Sequence, residues 1–140
     1  MERRDLIQDE IERLGRVLGK ILATFLGLKS QGKVQEGIEE AEQQLQSYLD
    51  LDVPKLLQLE GRDLVDYLQS LRLTADHLED LSAYLLESAR DQLADCDTEA
   101  VLRVRKAMEL LDIADELSKT ASLERMSKKS MMQELFCKCQ

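Results

Sequence analysis

The sequence predicts an all-α fold of about six helices that stack as antiparallel hairpins. Apolar residues make up 44% of the chain, but only 4% are aromatic and none is tryptophan, so the core must be aliphatic. One proline and six glycines in 140 residues are too few for the many turns of an all-β fold. A chain of this length forms one domain of ordinary size, so we expect a single helical domain over 1–140.

A long spine helix is expected within residues 1–33, because apolar side chains recur there at alternating spacings of four and three. The candidate dimer or packing face consists of Ile7, Ile11, Leu14, Leu18, Ile21 and Phe25. Such a seam is covered either by the chain's own helices or by a second copy across a two-fold axis, so a homodimer is expected as one outcome. Gly15 and Gly19, four apart, would let a neighbouring helix come close.

The rest of the chain divides into three helical segments with short turns between them. Gly32 is expected to form a left-handed cap, Pro54 to lie in the first turn of a helix, and Thr74 to be an N-cap. The segments are 34–72 (acidic helices), 74–118 (a hairpin of two long helices) and 120–136 (a C-terminal amphipathic helix).

The charge distribution bears on partners and location. The net charge is −9, and residues 35–99 alone carry 17 acidic and 4 basic side chains, a net of −13. This balance argues against nucleic acid as a partner, and it fits either a solvated acidic face or a surface for a basic protein partner. The longest uncharged apolar run, 21–28, is too short to span a membrane, and no targeting segment is visible, so we expect a cytoplasmic protein.

One carboxylate pattern suggests an enzyme as the alternative. Glu36, Glu39 and Glu40 are followed by Glu60 and, three residues later, Asp63. This spacing resembles the magnesium ligands of all-α nucleotide pyrophosphohydrolases, and the resemblance implies a small metal-dependent nucleotide phosphohydrolase. The competing explanation is that Glu60 and Asp63 are helix-terminus residues beside Gly61. We expect that the chain is not an enzyme and that it has no cofactor or metal site.

The single histidine and the three cysteines are expected to be unremarkable. His77, near a helix start, is interpreted as a surface or capping residue, because no second histidine is available for a metal site. Cys137 and Cys139 are two apart near the C-terminus, and Cys96 lies in a distant turn. An odd number of cysteines without framework spacing predicts a reduced tail rather than a disulfide scaffold.

The last helix has an adaptable apolar face bordered by lysine and arginine. Its candidate partner-binding residues are Met126, Met131, Met132, Leu135 and Phe136. A basic, methionine-rich amphipathic segment can bind a partner's groove or a membrane surface. The favoured interpretation is that it instead docks on this chain's own acidic body, as a terminal repeat does.

Two stretches carry resemblances to known families. The helices at about 75–94 and 98–118 resemble a tetratricopeptide repeat hairpin, with Ala100, Val104 and Ala107 as the small–large–small pattern of its second helix. The stretches 15–22, running on to 28–30, and 105–111, with the later 122–125, resemble an uncharacterised bacterial all-α family, a domain of unknown function. The resemblances imply a tetratricopeptide-like array and bring no activity.

Taken together, these observations favour a non-catalytic helical protein–protein interaction module whose partner the sequence does not identify. The partner would bind either the concave face between hairpins or the acidic mid-chain surface. A metal-dependent phosphohydrolase and a purely structural homodimer are the alternatives.

Overall fold

A computed structural model describes the backbone of residues 2–139 and the side chains of residues 7–139. Within residues 2–139 the chain forms seven helices and no strand, which confirms the all-α prediction. The helices are α1 (Glu2–Ser30), α2 (Val34–Leu49), α3 (Val53–Gln58), α4 (Gly61–Ser70), α5 (Ala75–Leu93), α6 (Thr98–Ser118) and α7 (Leu123–Cys137). The expected number, about six, was one too low because α3 is a short helix of its own that ends before α4 begins.

The helix boundaries follow from local side chains that the sequence shows. Gly32 has a φ of 78°, in the left-handed region expected for the turn that ends α1. Pro54 lies in the first turn of α3, where its missing N–H is not needed. Asp97 and Ser122 cap α6 and α7, each accepting a hydrogen bond from the backbone N–H three residues ahead.

The helices pack as hairpins joined through α5. Connections of three residues between α1 and α2 and of four between α5 and α6 make the paired helices antiparallel. The α5–α6 hairpin is the most extensively packed pair, and α5 also packs against α1. The last helix, α7, lies on α6 and α5, while the short α3 contacts α2 and α6. The hairpin at 75–118 is therefore present, and its tetratricopeptide-like character stays a prediction.

The apolar seam of α1 is covered largely within the chain. Its buried members are Leu14, Leu18, Ile21 and Phe25, each at most 4% exposed. Ile11 is half-buried and Ile7 is 56% exposed, toward the N-terminal end of the helix. Because α2 and α5 cover the buried members, those four side chains offer no free surface to a second copy.

The close approach of two helices occurs at Gly37 rather than at Gly19. A Cβ on Gly37 would lie 2.9 Å from Cδ2 of Phe25, so only glycine lets α2 pack this closely on α1. Gly15 packs near His77, and Gly19 has no neighbouring atom within 4 Å of an added Cβ. Of the predicted pair, only Gly15 therefore lies close to a neighbouring helix, and the closest approach occurs at Gly37, which is outside the pair.

The prediction of a reduced tail at Cys137 and Cys139 was wrong for Cys139. Cys96, in the α5–α6 turn, forms a disulfide with Cys139, and their Cα atoms are 5.3 Å apart. Cys137 is exposed and free. The 43-residue separation gave no sign of this pairing, because it depends on α7 folding back along the α5–α6 hairpin.

Candidate functional site

The main candidate site is an open groove between α4 and α6, with a cavity volume of about 550 Å³. Its lining residues are Gly61, Arg62, Val65 and Asp66 from α4 and Glu109, Asp112, Ile113 and Glu116 from α6. On α6 these positions recur at spacings of three and four, which places them on one face of the helix. The groove is the product of two helix faces that approach each other without closing.

The groove combines an apolar floor with an acidic rim. Val65 is half-buried and Ile113 is 6% exposed, so both side chains present only part of their surface. Four carboxylates and a single guanidinium border this floor, and the side chain of Asp112 is 65% exposed. Since unlike charges attract a partner and an apolar floor provides area to bury, the groove fits a basic amphipathic segment.

A buried lysine fixes the position of the groove. The ammonium of Lys106, whose side chain is 3% exposed, donates hydrogen bonds to the backbone carbonyl of Leu59 and to Glu109 Oε2, the latter at 2.9 Å. Leu59 lies in the connection between α3 and α4. Because a buried ammonium needs partners, this contact ties that connection to α6 and holds Glu109 at the groove rim.

A second buried polar cluster joins α2, α5 and α6. Arg103 donates to Glu42 Oε2 at 2.7 Å and to Ser88 Oγ at 3.0 Å, and Tyr84 Oη donates to the same Glu42 oxygen at 2.8 Å. Burial lowers the pKa of Arg103, but the neighbouring Glu42 more than offsets this and leaves it above its usual value. Burial, with Glu42 adding to it, raises the pKa of Tyr84 far above its usual range. The cluster is a satisfied structural network.

His77 caps the start of α5, which is one of the two roles that the sequence predicted for it. It is buried, however, and does not lie on the surface. Its Nδ1 accepts the Thr74 backbone N–H at 2.9 Å, which satisfies one of the free donors at the start of α5. Its Nε2 lies 2.9 Å from the carbonyl oxygen of Ile11 and therefore donates to it. Both ring nitrogens thus have a hydrogen-bond partner: Nδ1 caps the start of α5, and Nε2 joins α5 to α1.

The carboxylates of the phosphohydrolase alternative do not converge. Glu36, Glu39 and Glu40 are exposed along α2, where they border an open concavity of about 530 Å³ with Tyr48. Asp63 lies in the first turn of α4. Among the residues that the structure describes, no group of three or more histidine, cysteine, aspartate or glutamate side chains is arranged to hold a metal ion.

The predicted partner residues of α7 are divided between core and surface. Met132 and Phe136 are buried, Met131 and Leu135 are half-buried, and Met126 is 50% exposed. The helix also forms ion pairs with the body, among them Lys129 Nζ to Asp112 Oδ1 at 3.0 Å. The favoured interpretation had α7 docking on the acidic body, and this is where the structure places it.

Sequence reasoning missed the groove and the buried cations. A signal for Arg103 was present, since it lies three residues after Ala100 and four before Ala107, on the helix face that carries the small–large–small pattern. The sequence signal for the groove was weaker, because the spacing of Glu109, Asp112 and Glu116 is typical of an ordinary solvent-exposed helix face. These α6 side chains border a groove only because α4 lies beside α6 in the fold.

The fold and the groove define a class: an all-α chain with an acidic groove between helices. In the described residues no helix is long and apolar enough to cross a membrane. Compared with known proteins, the chain matches no family model, no curated protein and no solved structure.

Proposed function

We propose that this protein is a non-catalytic helical protein–protein interaction module whose α4–α6 groove binds a basic segment of a partner protein. The observation that carries the proposal is the combination of an apolar floor, made of the half-buried Val65 and the buried Ile113, with a rim of four carboxylates. An apolar floor supplies area that a partner side chain can bury, and the rim supplies the charge that selects lysine or arginine beside it.

The last helix of the chain, α7, already makes one such ion pair at the edge of the groove. Lys129 of α7 reaches Asp112, a rim residue, while the same ammonium also pairs with Asp115 at 3.0 Å. Asp66 and Glu116 on the rim are exposed and remain accessible to an incoming cation. The rim therefore already accepts one lysine on a helix and has room for a second basic side chain.

The proposal is tested with a dye-labelled amphipathic peptide of about five helical turns, made of leucine and lysine, as the probe. We expect the peptide to perturb the methyl resonances of Val65 and Ile113. The double variant Asp66→Lys/Glu116→Lys should weaken binding by about tenfold, since each lost surface ion pair contributes at most about 1 kcal/mol.

The matched control is Glu36→Lys/Glu39→Lys, which changes the net charge by the same amount on the exposed face of α2. It should leave the affinity within about twofold of the original. Equal weakening by both double variants would mean that the peptide responds to net charge alone, and the groove would then be rejected as the binding site.

The phosphohydrolase alternative gains no specific observation, because its carboxylates lie on separate exposed helix faces. The homodimer alternative loses the surface first considered for it, since four of the six α1 seam residues are buried within the chain.

A further inference from the structure

The helix α7 covers an apolar surface of α5 and α6. Met132 and Phe136, four apart and so on one side of α7, are 1% and 8% exposed. Leu135 and Met131 pack beside them, and the guanidinium of Arg105 lies 5.4 Å from the centre of the Phe136 ring. The covered surface is thus one that accepts two apolar side chains spaced by one helical turn.

The same surface carries carboxylates that pair with the cations of α7. Arg125 reaches Glu79 Oε1 of α5 and Asp115 Oδ1 of α6, each at 3.0 Å, and its side chain is 9% exposed. Lys129, four residues on, bridges Asp112 and Asp115 at 3.0 Å each. Arginine and lysine at this spacing therefore match an acidic strip that runs from α5 to α6.

The attachment of α7 to the body depends on a covalent bond at one end. Its start follows the short connection 119–122, and its far end is held by the Cys96–Cys139 disulfide. Cys96 is exposed, and a cleft of about 290 Å³, lined in part by Cys96, Leu93 and Leu135, lies beside it. A small reductant can therefore reach the disulfide from solvent.

We propose that the α5–α6 surface beneath α7 is a docking surface for a basic amphipathic helix of a partner protein, and that the Cys96–Cys139 disulfide keeps it closed. The resident α7 shows the chemistry of the ligand: two apolar side chains four apart, with an arginine and a lysine four apart. A partner helix of this kind replaces α7 once the tether is cut. This surface is distinct from the α4–α6 groove, with Asp112 alone facing both.

The opening step is a thiol–disulfide exchange with a dithiol reductant. One thiolate of the dithiol attacks a sulfur of the disulfide, the mixed disulfide that forms is resolved by the second thiolate, and the dithiol leaves as its own disulfide. Two electrons and two protons pass to the protein, which then carries free thiols at Cys96 and Cys139. The far end of α7 is released, its effective concentration at the surface falls, and an added helix can compete.

The test uses the full chain and a dye-labelled peptide of residues 122–139 with Cys137→Ser and Cys139→Ser, followed by fluorescence anisotropy. We expect the dithiol-reduced chain to bind the peptide at least about tenfold more tightly than the oxidised chain. A peptide with Arg125→Glu and Lys129→Glu should lose this binding. Equal affinity of the two redox states, or no binding to the reduced chain, would overturn the proposal.

Two chain variants separate the tether from a general effect of reductant. Cys96→Ser should bind the peptide with or without reductant, and Cys137→Ser, which alters only the free exposed thiol, should respond to reductant as the original chain does. Hydrogen exchange supplies a second readout: reduction should speed exchange in α7 by about tenfold or more and leave α5 and α6 unchanged. Unchanged exchange in α7 would contradict the tether's role. Circular dichroism verifies that each variant is folded.

Discussion

The α5–α6 hairpin and the helix α7 are held in the molecule by different forces. The hairpin buries its apolar stripes almost completely, with Leu78, Leu85, Leu110 and Leu111 all at 0% exposure. On α7 the buried apolar side chains are Met132 and Phe136, and the rest of the attachment comes largely from the cations Arg125, which is also buried, and Lys129, and from the disulfide. One region depends on close packing, the other on charge and a covalent tether.

Because of this difference, the two regions respond to different solution conditions. Apolar packing changes little with salt, mild acid or reductant, whereas the partly exposed ion pairs of Lys129 are screened by salt and a disulfide is cut by thiols. A helix with few buried contacts opens locally at a lower free energy than the body beneath it. The body of α1, α5 and α6 is therefore expected to remain folded under conditions that release α7.

The largest expected effect comes from a charge placed inside the body. Ile21→Glu puts a carboxylate at a position that is 4% exposed, within the apolar seam that α1 buries against the rest of the chain. We expect a loss of at least about 4 kcal/mol in the free energy of unfolding, enough to leave much of the chain unfolded. Chemical denaturation followed by circular dichroism measures this loss.

The matched control for that variant is Ile7→Glu, on the same helix but 56% exposed, which should change stability by less than about 0.5 kcal/mol. If Ile21→Glu is folded and as stable as the control, then α2 and α5 do not cover this seam, and the packed body described above is wrong.

A direct comparison of the two regions uses equivalent truncations. Leu110→Ala removes a side chain at 0% exposure in α6 and should cost about 3 kcal/mol, from lost transfer energy and the cavity left behind. Met132→Ala in α7, at 1% exposure, should cost about 1 kcal/mol in the reduced chain, because α7 can detach without unfolding the body. Urea unfolding under dithiol measures both losses, and a Met132→Ala loss as large as that of Leu110→Ala would show that α7 unfolds with the body.

The sequence was sufficient to predict the packed helices of the body. It was not sufficient to predict how α7 is attached to that body or where the groove lies. The apolar period of three and four residues identified Leu14, Leu18 and Ile21 as a packing face, because that period follows from helix geometry alone. The Cys96–Cys139 pair escaped prediction because it depends on how a helix lies in space, which residue spacing does not encode. The groove escaped for the same reason, since its two walls come from helices that are not adjacent in the chain, and its nearest lining residues, Asp66 and Glu109, are 43 positions apart.

The smallest expected effect concerns an ion pair inside the body. Glu87 of α5 accepts a hydrogen bond from Lys29 of α1 at 2.8 Å and one from Arg90 at 3.0 Å. Burial raises the pKa of Glu87, but Lys29 and Arg90 together outweigh burial and leave this pKa below its ordinary value of 4.5. A carboxyl with a lowered pKa stabilises the folded chain above its unfolded pKa, and this contribution is lost as the pH falls through the folded value.

Glu87→Gln should therefore cost less than about 1 kcal/mol at neutral pH and should reduce the loss of stability that follows acidification below the ordinary pKa of a glutamate carboxyl. Thermal denaturation of both chains at several pH values measures the difference, with Glu36→Gln on the exposed face of α2 as the charge-matched control. The expected effect is small because the α1–α5 contact already rests on buried apolar residues such as Phe25 and Leu18. A Glu87→Gln chain that loses several kcal/mol would mean that charge, rather than packing, joins α1 to α5, and the contrast between the body and α7 would then not hold.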